Sequence, residues 1–254
     1  MTAALTTADI DTLGASLAAA RGKGAKPVVT PARVPASDED AYRIQQAIAT
    51  RVGRPAKAWK VGAANAQSMP NGAPIFDVFD TMTAVPGAAS TGVELEIAFR
   101  LARGFAAGTS APSRADVEAA IGAAHIALET CASRLADGMK APAHLRLADF
   151  GTNLGLVIGP EVKAWRAIDS AKLRARITSN GGSIADMTGG HTCPDLVGLL
   201  TWIVGHAVTS RGGMPAGTWV TTGSWMGIQW VTPPSAIVGT FDGLGSIEVK
   251  LTAG

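Results

Sequence analysis

One segment near the middle of the chain constrains the fold more than any other. From Gly92 to Leu101 the side chains alternate, with Val93, Leu95, Ile97, Phe99 and Leu101 apolar and Glu94, Glu96, Ala98 and Arg100 between them. A period of two places successive side chains on opposite faces of an extended strand, so one face is apolar and the other acidic. Glu94 and Glu96 share a face, about 7 Å apart at a rise of about 3.3 Å per residue. Their charges repel unless water solvates both or a cation lies between them. Two readings follow from the residues alone. The acidic face is either a solvated strand surface or part of a ligand set for a hard divalent cation such as Mg²⁺, which takes oxygen donors. A cation would need a third carboxylate from another segment. Glu129, isolated in Ala127-Leu128-Glu129-Thr130-Cys131, is the candidate, and a charge on a helix surface is its alternative.

The flanking segments predict a mixed α and β chain. Thr6 can cap a first helix carrying Ile10, Leu13, Leu17 and Ala20 and ending at Gly22 and Gly24. Ser37, answered by Asp40, starts a second helix with Tyr42, Ile44, Ala47, Ile48 and Val52 buried, stopped by Gly53 and Pro55. Ala56 to Ala89 reads as brief strands and loops. Ser113 and Asp116 form a capping box for a helix through Val117, Ala120, Ile121 and Ala124, and Ile126 to Cys131 either extends it or forms a strand. Ser179 to Gly182 is a hairpin signal, Pro194 opens a helix with Leu196, Leu199, Leu200, Ile203, Val204 and Ala207 inward, and Thr218–Thr222 and Ile247, Val249, Leu251 read as strands. No repeat or linker marks a boundary. The expected layout is an N-terminal helical lobe over residues 1–55, not necessarily independent, followed by a catalytic domain over 56–254.

Composition excludes several classes of function. The 254 residues are 47% hydrophobic and 17% charged, enough for a full core without cross-links. A net charge of +2 with 5% aromatics gives no footprint for nucleic acid. Cys131 and Cys193 are too few and too far apart for a disulfide framework or a Cys-x-x-Cys metal clip, and are expected to be reduced thiols. The opening stretch lacks a basic region and carries Asp9 and Asp11, unlike a signal peptide, and no apolar run approaches membrane-spanning length. A cytoplasmic protein without membrane association is the expectation. The chain has no G-x-x-x-x-G-K-S/T phosphate loop, G-x-G-x-x-G fingerprint, H-E-x-x-H zinc motif or G-x-S-x-G elbow.

Other candidates have two readings each. Lys60, in Ala58-Trp59-Lys60-Val61-Gly62, is a lone cation among apolar neighbours, able to stabilise an enolate or simply pointing outward. Asp149 could be a base, a water-positioning group or a turn former. Arg134 could bind a substrate carboxylate through its planar fork or make a surface salt bridge. His125, His144, His191 and His206 show no metal-ligand spacing and receive no catalytic role, and the tryptophans read as packing.

Taken together, Val93-Glu94-Leu95-Glu96-Ile97-Ala98-Phe99, Leu128-Glu129, Leu147-Ala148-Asp149 and Thr222-Gly223-Ser224 resemble the fumarylacetoacetate hydrolase superfamily, in its 2-oxopent-4-enoate hydratase and 4-oxalocrotonate decarboxylase branch. Tyr42 to Gln46, Lys60-Val61-Gly62, Asp195 to Trp202 and Phe241 to Val249 resemble further blocks more loosely. The resemblance implies a twisted, β-rich sheet roll with flanking helices around one Mg²⁺ or Mn²⁺ held by Glu94, Glu96 and Glu129. It implies an active-site role for Lys60 and Asp149, and substrate contacts from Ser224 and Arg134. Such enzymes act on 2-oxo or 2-hydroxydienoic acids from ring cleavage of aromatic compounds. The implied activity is a hydro-lyase adding water to a 2-hydroxydienoate to give a 4-hydroxy-2-oxo acid. A decarboxylase of a 2-oxo-enedioate is the alternative, and a non-catalytic subunit of a pathway complex is a third. A homo-oligomer, in complex with a pathway decarboxylase in one version, is the implied assembly.

The chain departs from the branch in places. Lys60-Val61-Gly62 continues as Ala63-Ala64-Asn65 where relatives have Leu-Thr-Ser, and Ala132-Ser133-Arg134 replaces Asp-Ser-Arg. Trp225-Met226-Gly227 follows Gly223-Ser224 in place of a small, Pro-rich run, and would narrow a pocket if it lines one.

Overall fold

The computed structural model describes residues 4–21 and 25–254, so the first helix's expected stop at Gly22 and Gly24 lies outside the described residues. The chain forms two compact units, one of Met1–Ala56 with Ala132–Asn153 and one of Lys57–Cys131 with Leu154–Gly254. A boundary placed after residue 55 therefore omits the excursion over residues 132–153, which groups with the N-terminal helices. No helix among the described residues is long and apolar enough to cross a membrane.

In the first unit, helix α1 (Thr7–Ala20) starts where the Thr6 side chain accepts from Asp9 N–H, and α2 (Asp38–Val52) starts where Ser37 accepts from Asp40 N–H. Gly53, at φ +68°, ends α2 in the left-handed conformation that glycine tolerates best. The excursion contributes a short helix (Ala143–Ala148), bridged to α2 by Gln45 Nε2 donating to Leu147 O at 2.7 Å.

The second unit is a β structure. Its strands begin with β1 (Ala58–Gly62), β2 (Asn71–Ile75), β3 (Val78–Asp80), β4 (Val85–Gly87), β5 (Thr91–Leu101) and β6 (Phe105–Ala106). They continue with β7 (Ile121–Cys131), β8 (Asn153–Glu161), β9 (Arg174–Ser179), β10 (Gly182–Thr188) and β11 (Gly213–Met214). The last are β12 (Trp219–Thr221), β13 (Gln229–Val231), β14 (Ser235–Phe241) and β15 (Gly245–Ala253). An eight-stranded sheet runs β2-β1-β12-β5-β7-β8-β3, with β13 also on β5, and curls into a half-barrel. A five-stranded sheet runs β10-β9-β14-β15-β4.

The apolar residues of β5 are buried in one core with Ile177, Ile237, Phe241, Ile247 and Val249 of the second sheet. Close approach of the sheets needs Gly239, where a Cβ would lie 2.6 Å from Leu95 Cδ1. The helix Leu196–Ser210 lies in the same core, and its N-cap is Asp195, whose side chain accepts from Gly198 N–H; the helix thus starts two residues after Pro194.

One sequence expectation needs correction. The helix capped by Ser113 spans only Arg114–Ala120, and Ile121 leaves helical geometry at φ −69°, ψ 115°. Ile121–Cys131 is a strand throughout, antiparallel to β5 with Glu94 opposite Glu129. The alanine-rich segment fits either period, and the long ladder to β5 overrides local propensity.

Candidate metal centre

Period two and strand register together build the site. Glu94 and Glu96 project from the same face of β5, and Glu129 sits directly across from Glu94 on β7. Directly opposed like charges destabilise a sheet, so this pairing demands compensation. Solvent does not provide it. Glu94 is 9% exposed, Glu96 1% and Glu129 0%, so the reading of a solvated strand face fails. Beyond Glu96 the same layer becomes a small apolar cluster of Ala58, Ile75, Ala98, Ala127 and Leu156.

Lys60 comes from β1, which reaches β5 through β12. Its Nζ lies 2.6 Å from Glu129 Oε1 and 3.7 Å from Glu94 Oε2. Burial alone would lower the lysine pKa. The neighbouring carboxylates, Glu129 foremost, reverse that and hold it well above the usual value, so Lys60 is an ammonium, while burial pushes the Cys131 thiol up and keeps it uncharged. Burial, then repulsion from Glu129 and Glu94, pushes the Glu96 carboxyl up to about 8. Burial pushes Glu129 up to about 7, against the attraction of Lys60 and with repulsion from Glu94.

Glu96 is the most tightly held of the three. Thr221 Oγ1 donates a short hydrogen bond to its Oε2, and Gly223 N–H donates to the same oxygen at 2.9 Å. Glu129 is the reverse case: its Oε2 is buried and has no hydrogen-bond partner. A buried carboxylate oxygen with nothing bound to it is costly unless a ligand completes it.

Sequence reasoning missed one member. Cys131 Sγ lies 3.4 Å from both Glu94 Oε2 and Glu129 Oε1, fully buried. Glu94, Glu129 and Cys131 offer donor atoms that all lie within 4.8 Å of one another, close enough to share an ion. Cys131 joins the cluster because it is two residues along β7 from Glu129, on the same face, opposite the side-chain-free Gly92. Once all three carboxyls are ionised, one ammonium leaves two negative charges uncompensated, the charge of one divalent cation; without a cation the raised Glu96 and Glu129 carboxyls hold protons instead. The two converging carboxylates, the orphaned oxygen and the charge of the ionised site fit such an ion, whereas the Cys131 thiol is a soft donor and Glu96 is not among the three residues whose donor atoms meet.

The remaining candidates have partners of their own. Arg134 and Asp149, both in the first unit, face each other. Arg134 Nε donates to Asp149 Oδ1 at 2.6 Å, its two Nη atoms donate to the carbonyls of Asn153 and Asp149, and its backbone N–H donates to Asp149 Oδ2 at 2.8 Å. Ser224 Oγ donates to Gly227 O at 3.1 Å and accepts from Met226 N–H, closing a tight turn. Trp225 is wholly buried, edge-on to Phe241 with centroids 5.0 Å apart, so it is a core residue.

A curled β sheet carrying buried carboxylates on adjacent strands defines the class: the fold is fumarylacetoacetate-hydrolase-like. No family model matches the chain, and no curated relative does. Solved structures of that superfamily do. The chain superposes on 4-oxalocrotonate decarboxylase from Pseudomonas putida G7, complexed with magnesium and adipate, at TM-score 0.79 and 18% identity, covering 97% of this chain and 98% of that one. It also matches 2-hydroxyhepta-2,4-diene-1,7-dioate isomerase from Mycobacterium marinum (TM-score 0.54, 15% identity, 78% and 75% covered). A third match is fumarylpyruvate hydrolase from Pseudomonas aeruginosa, in complex with Mn²⁺ and pyruvate (TM-score 0.52, 14% identity, 79% and 91% covered). At these identities the likeness establishes the fold.

Proposed function

We propose that this chain is a metal-dependent enzyme of 2-oxo acids, with Glu94, Glu96 and Glu129 holding Mg²⁺ or Mn²⁺ and Lys60 beside them. The observation that carries it is the buried, undercompensated carboxylate cluster with its orphaned Glu129 oxygen. The fold it shares with enzymes solved with magnesium or manganese supports the same reading. A bound ion would supply Lewis-acid stabilisation of the negative charge that develops at a substrate's 2-oxo group.

The chain's own residues do the rest. Lys60 Nζ stays protonated and offers N–H donors beside the carboxylates, where an oxygen gaining charge needs them; one such donor in a dry site is worth about 10²–10³ in rate. Thr221 and Gly223 fix the orientation of Glu96. Ala98 and Ala127, small and apolar, keep water away from that side of the carboxylates. The buried Arg134–Asp149 pair is best read as a structural clamp of the 132–153 excursion, in place of the substrate and proton-handling roles that the sequence resemblance implies. Ser224 likewise serves its own turn.

Hydration of a 2-hydroxydienoate is our first reading. Decarboxylation of a 2-oxo-enedioate is the second, favoured by the superposition over nearly the whole chain on a decarboxylase. Both need charge stabilised at the same oxygen, so substrate and product separate them. The ultraviolet absorbance of a 2-hydroxydienoate should decay on adding the chain with Mg²⁺ or Mn²⁺, and Lys60→Met, Glu94→Gln and Glu129→Gln should each lower that rate by about 10² or more. Release of CO₂ from a 2-oxo-enedioate selects the second reading. Full turnover by Glu129→Gln rejects both.

A further inference from the structure

Beside the Thr221 hydroxyl, one peptide unit holds Glu96, and a histidine grips the other end of that unit. Gly223 N–H donates to Glu96 Oε2 at 2.9 Å. The carbonyl of the same peptide, Thr222 O, receives His191 Nε2 at 3.0 Å. The other ring nitrogen is engaged as well: Cys193 N–H donates to His191 Nδ1 at 3.1 Å. A backbone N–H can only donate, so Nδ1 presents its lone pair and the proton of the neutral ring sits on Nε2, aimed at Thr222 O. Burial lowers the pKa of His191 and keeps the ring neutral.

Hydrogen bonds tie the turn on both sides, Thr222 Oγ1 donating to Ile97 O at 2.9 Å and Trp225 N–H to Leu95 O at 3.2 Å, and His191 acts on the carbonyl of the peptide between them. Gly223 has φ +98°, a conformation other residues rarely adopt, and a Cβ there would meet nothing closer than 3.6 Å. The amide is planar, so a hydrogen bond that holds the carbonyl also aims the N–H on its opposite side. Donation to the carbonyl further polarises the amide and strengthens that N–H as a donor. His191 is itself seated against Trp225, with ring centroids 4.3 Å apart, and the neighbouring Thr192 Oγ1 donates to Ala63 O at 2.8 Å just past β1.

We infer that His191 is a positioning residue of the metal centre, fixing the Thr222–Gly223 peptide so that its N–H holds Glu96 Oε2 and leaves Oε1 as the donor oxygen. This rests on the reading of Glu96 as a ligand. Hydrogen-bonding partners behind a ligand carry about 10- to 100-fold in metal affinity.

The test is Mn²⁺ binding to the full chain, followed by the loss of the free-ion paramagnetic resonance signal, with thermal unfolding measured on each variant. A glutamine amide can place an N–H where Nε2 stands, whereas the shorter asparagine places its own near Nδ1. The expected result is a Kd close to that of the unaltered chain for His191→Gln, and one raised about 10- to 100-fold for His191→Asn and His191→Leu. Equal affinities in all three variants overturn the positioning role and leave the metal reading standing. An equal loss in all three, tracking their melting temperatures, also overturns it. Absence of Mn²⁺ binding by the unaltered chain overturns the metal reading, and this inference with it.

Discussion

The chain buries charge in two places and treats it differently in each. In the first unit, Arg134 and Asp149 balance one for one, and every nitrogen of the guanidinium meets an oxygen. In the second, three carboxylates share one lysine, two of them have raised pKa values, and one oxygen is left without a partner. A balanced, fully bonded pair is a finished structural element. An unbalanced one takes up protons or a cation to relieve its charge, and that imbalance is what distinguishes a site from a strut.

The contrast can be broken by removing charge from each place. Arg134→Met strands a buried carboxylate and should cost about 3–5 kcal/mol in urea unfolding. Glu96→Gln removes an excess charge while keeping an acceptor for Thr221 and Gly223, and should stabilise the metal-free chain at alkaline pH. If Arg134→Met is neutral, or Glu96→Gln destabilises at alkaline pH, the distinction is wrong.

A smaller effect is the dependence on pH. Glu129 titrates at about 7 and Glu96 at about 8 in the folded chain, above the ordinary 4.5. Between 4.5 and about 8 the folded state therefore holds more protons than the unfolded one, and metal-free stability falls as pH rises through that window. A bound cation needs the ionised carboxylates and expels those protons, so Mn²⁺ affinity should rise over the same window, by up to about tenfold per pH unit for each proton released. Calorimetric titrations at several pH values would check this, and a flat profile would show that the carboxyls do not bind the ion.

How much of this was legible in the sequence depends on how local each signal is. The β5 alternation and the caps at Thr6, Ser37 and Ser113 are written in adjacent residues and could be read directly. The shared face of Glu94 and Glu96 follows from the same period. Its burial does not, because the two glutamates look like the same wet surface as Arg100, which stays exposed, until the curled sheet encloses them. Glu129 and Lys60 are candidates from the residues alone, each beside a bland surface reading, and the family resemblance favours the active reading because their partners are distant in sequence. Cys131 was invisible because its place depends on the register opposite Gly92. His191 was passed over because spacing reveals ligands, and its partner is a backbone carbonyl. Arg134 and Asp149 each keep more than one reading in the sequence, and only coordinates reveal that they bond to each other.

The most direct measurement is anomalous diffraction from crystals of the unaltered chain soaked with Mn²⁺. One manganese peak is expected among the carboxylates of Glu94, Glu96 and Glu129, with Lys60 drawn off Glu129. A map without manganese there, and Lys60 still paired to Glu129, would contradict it.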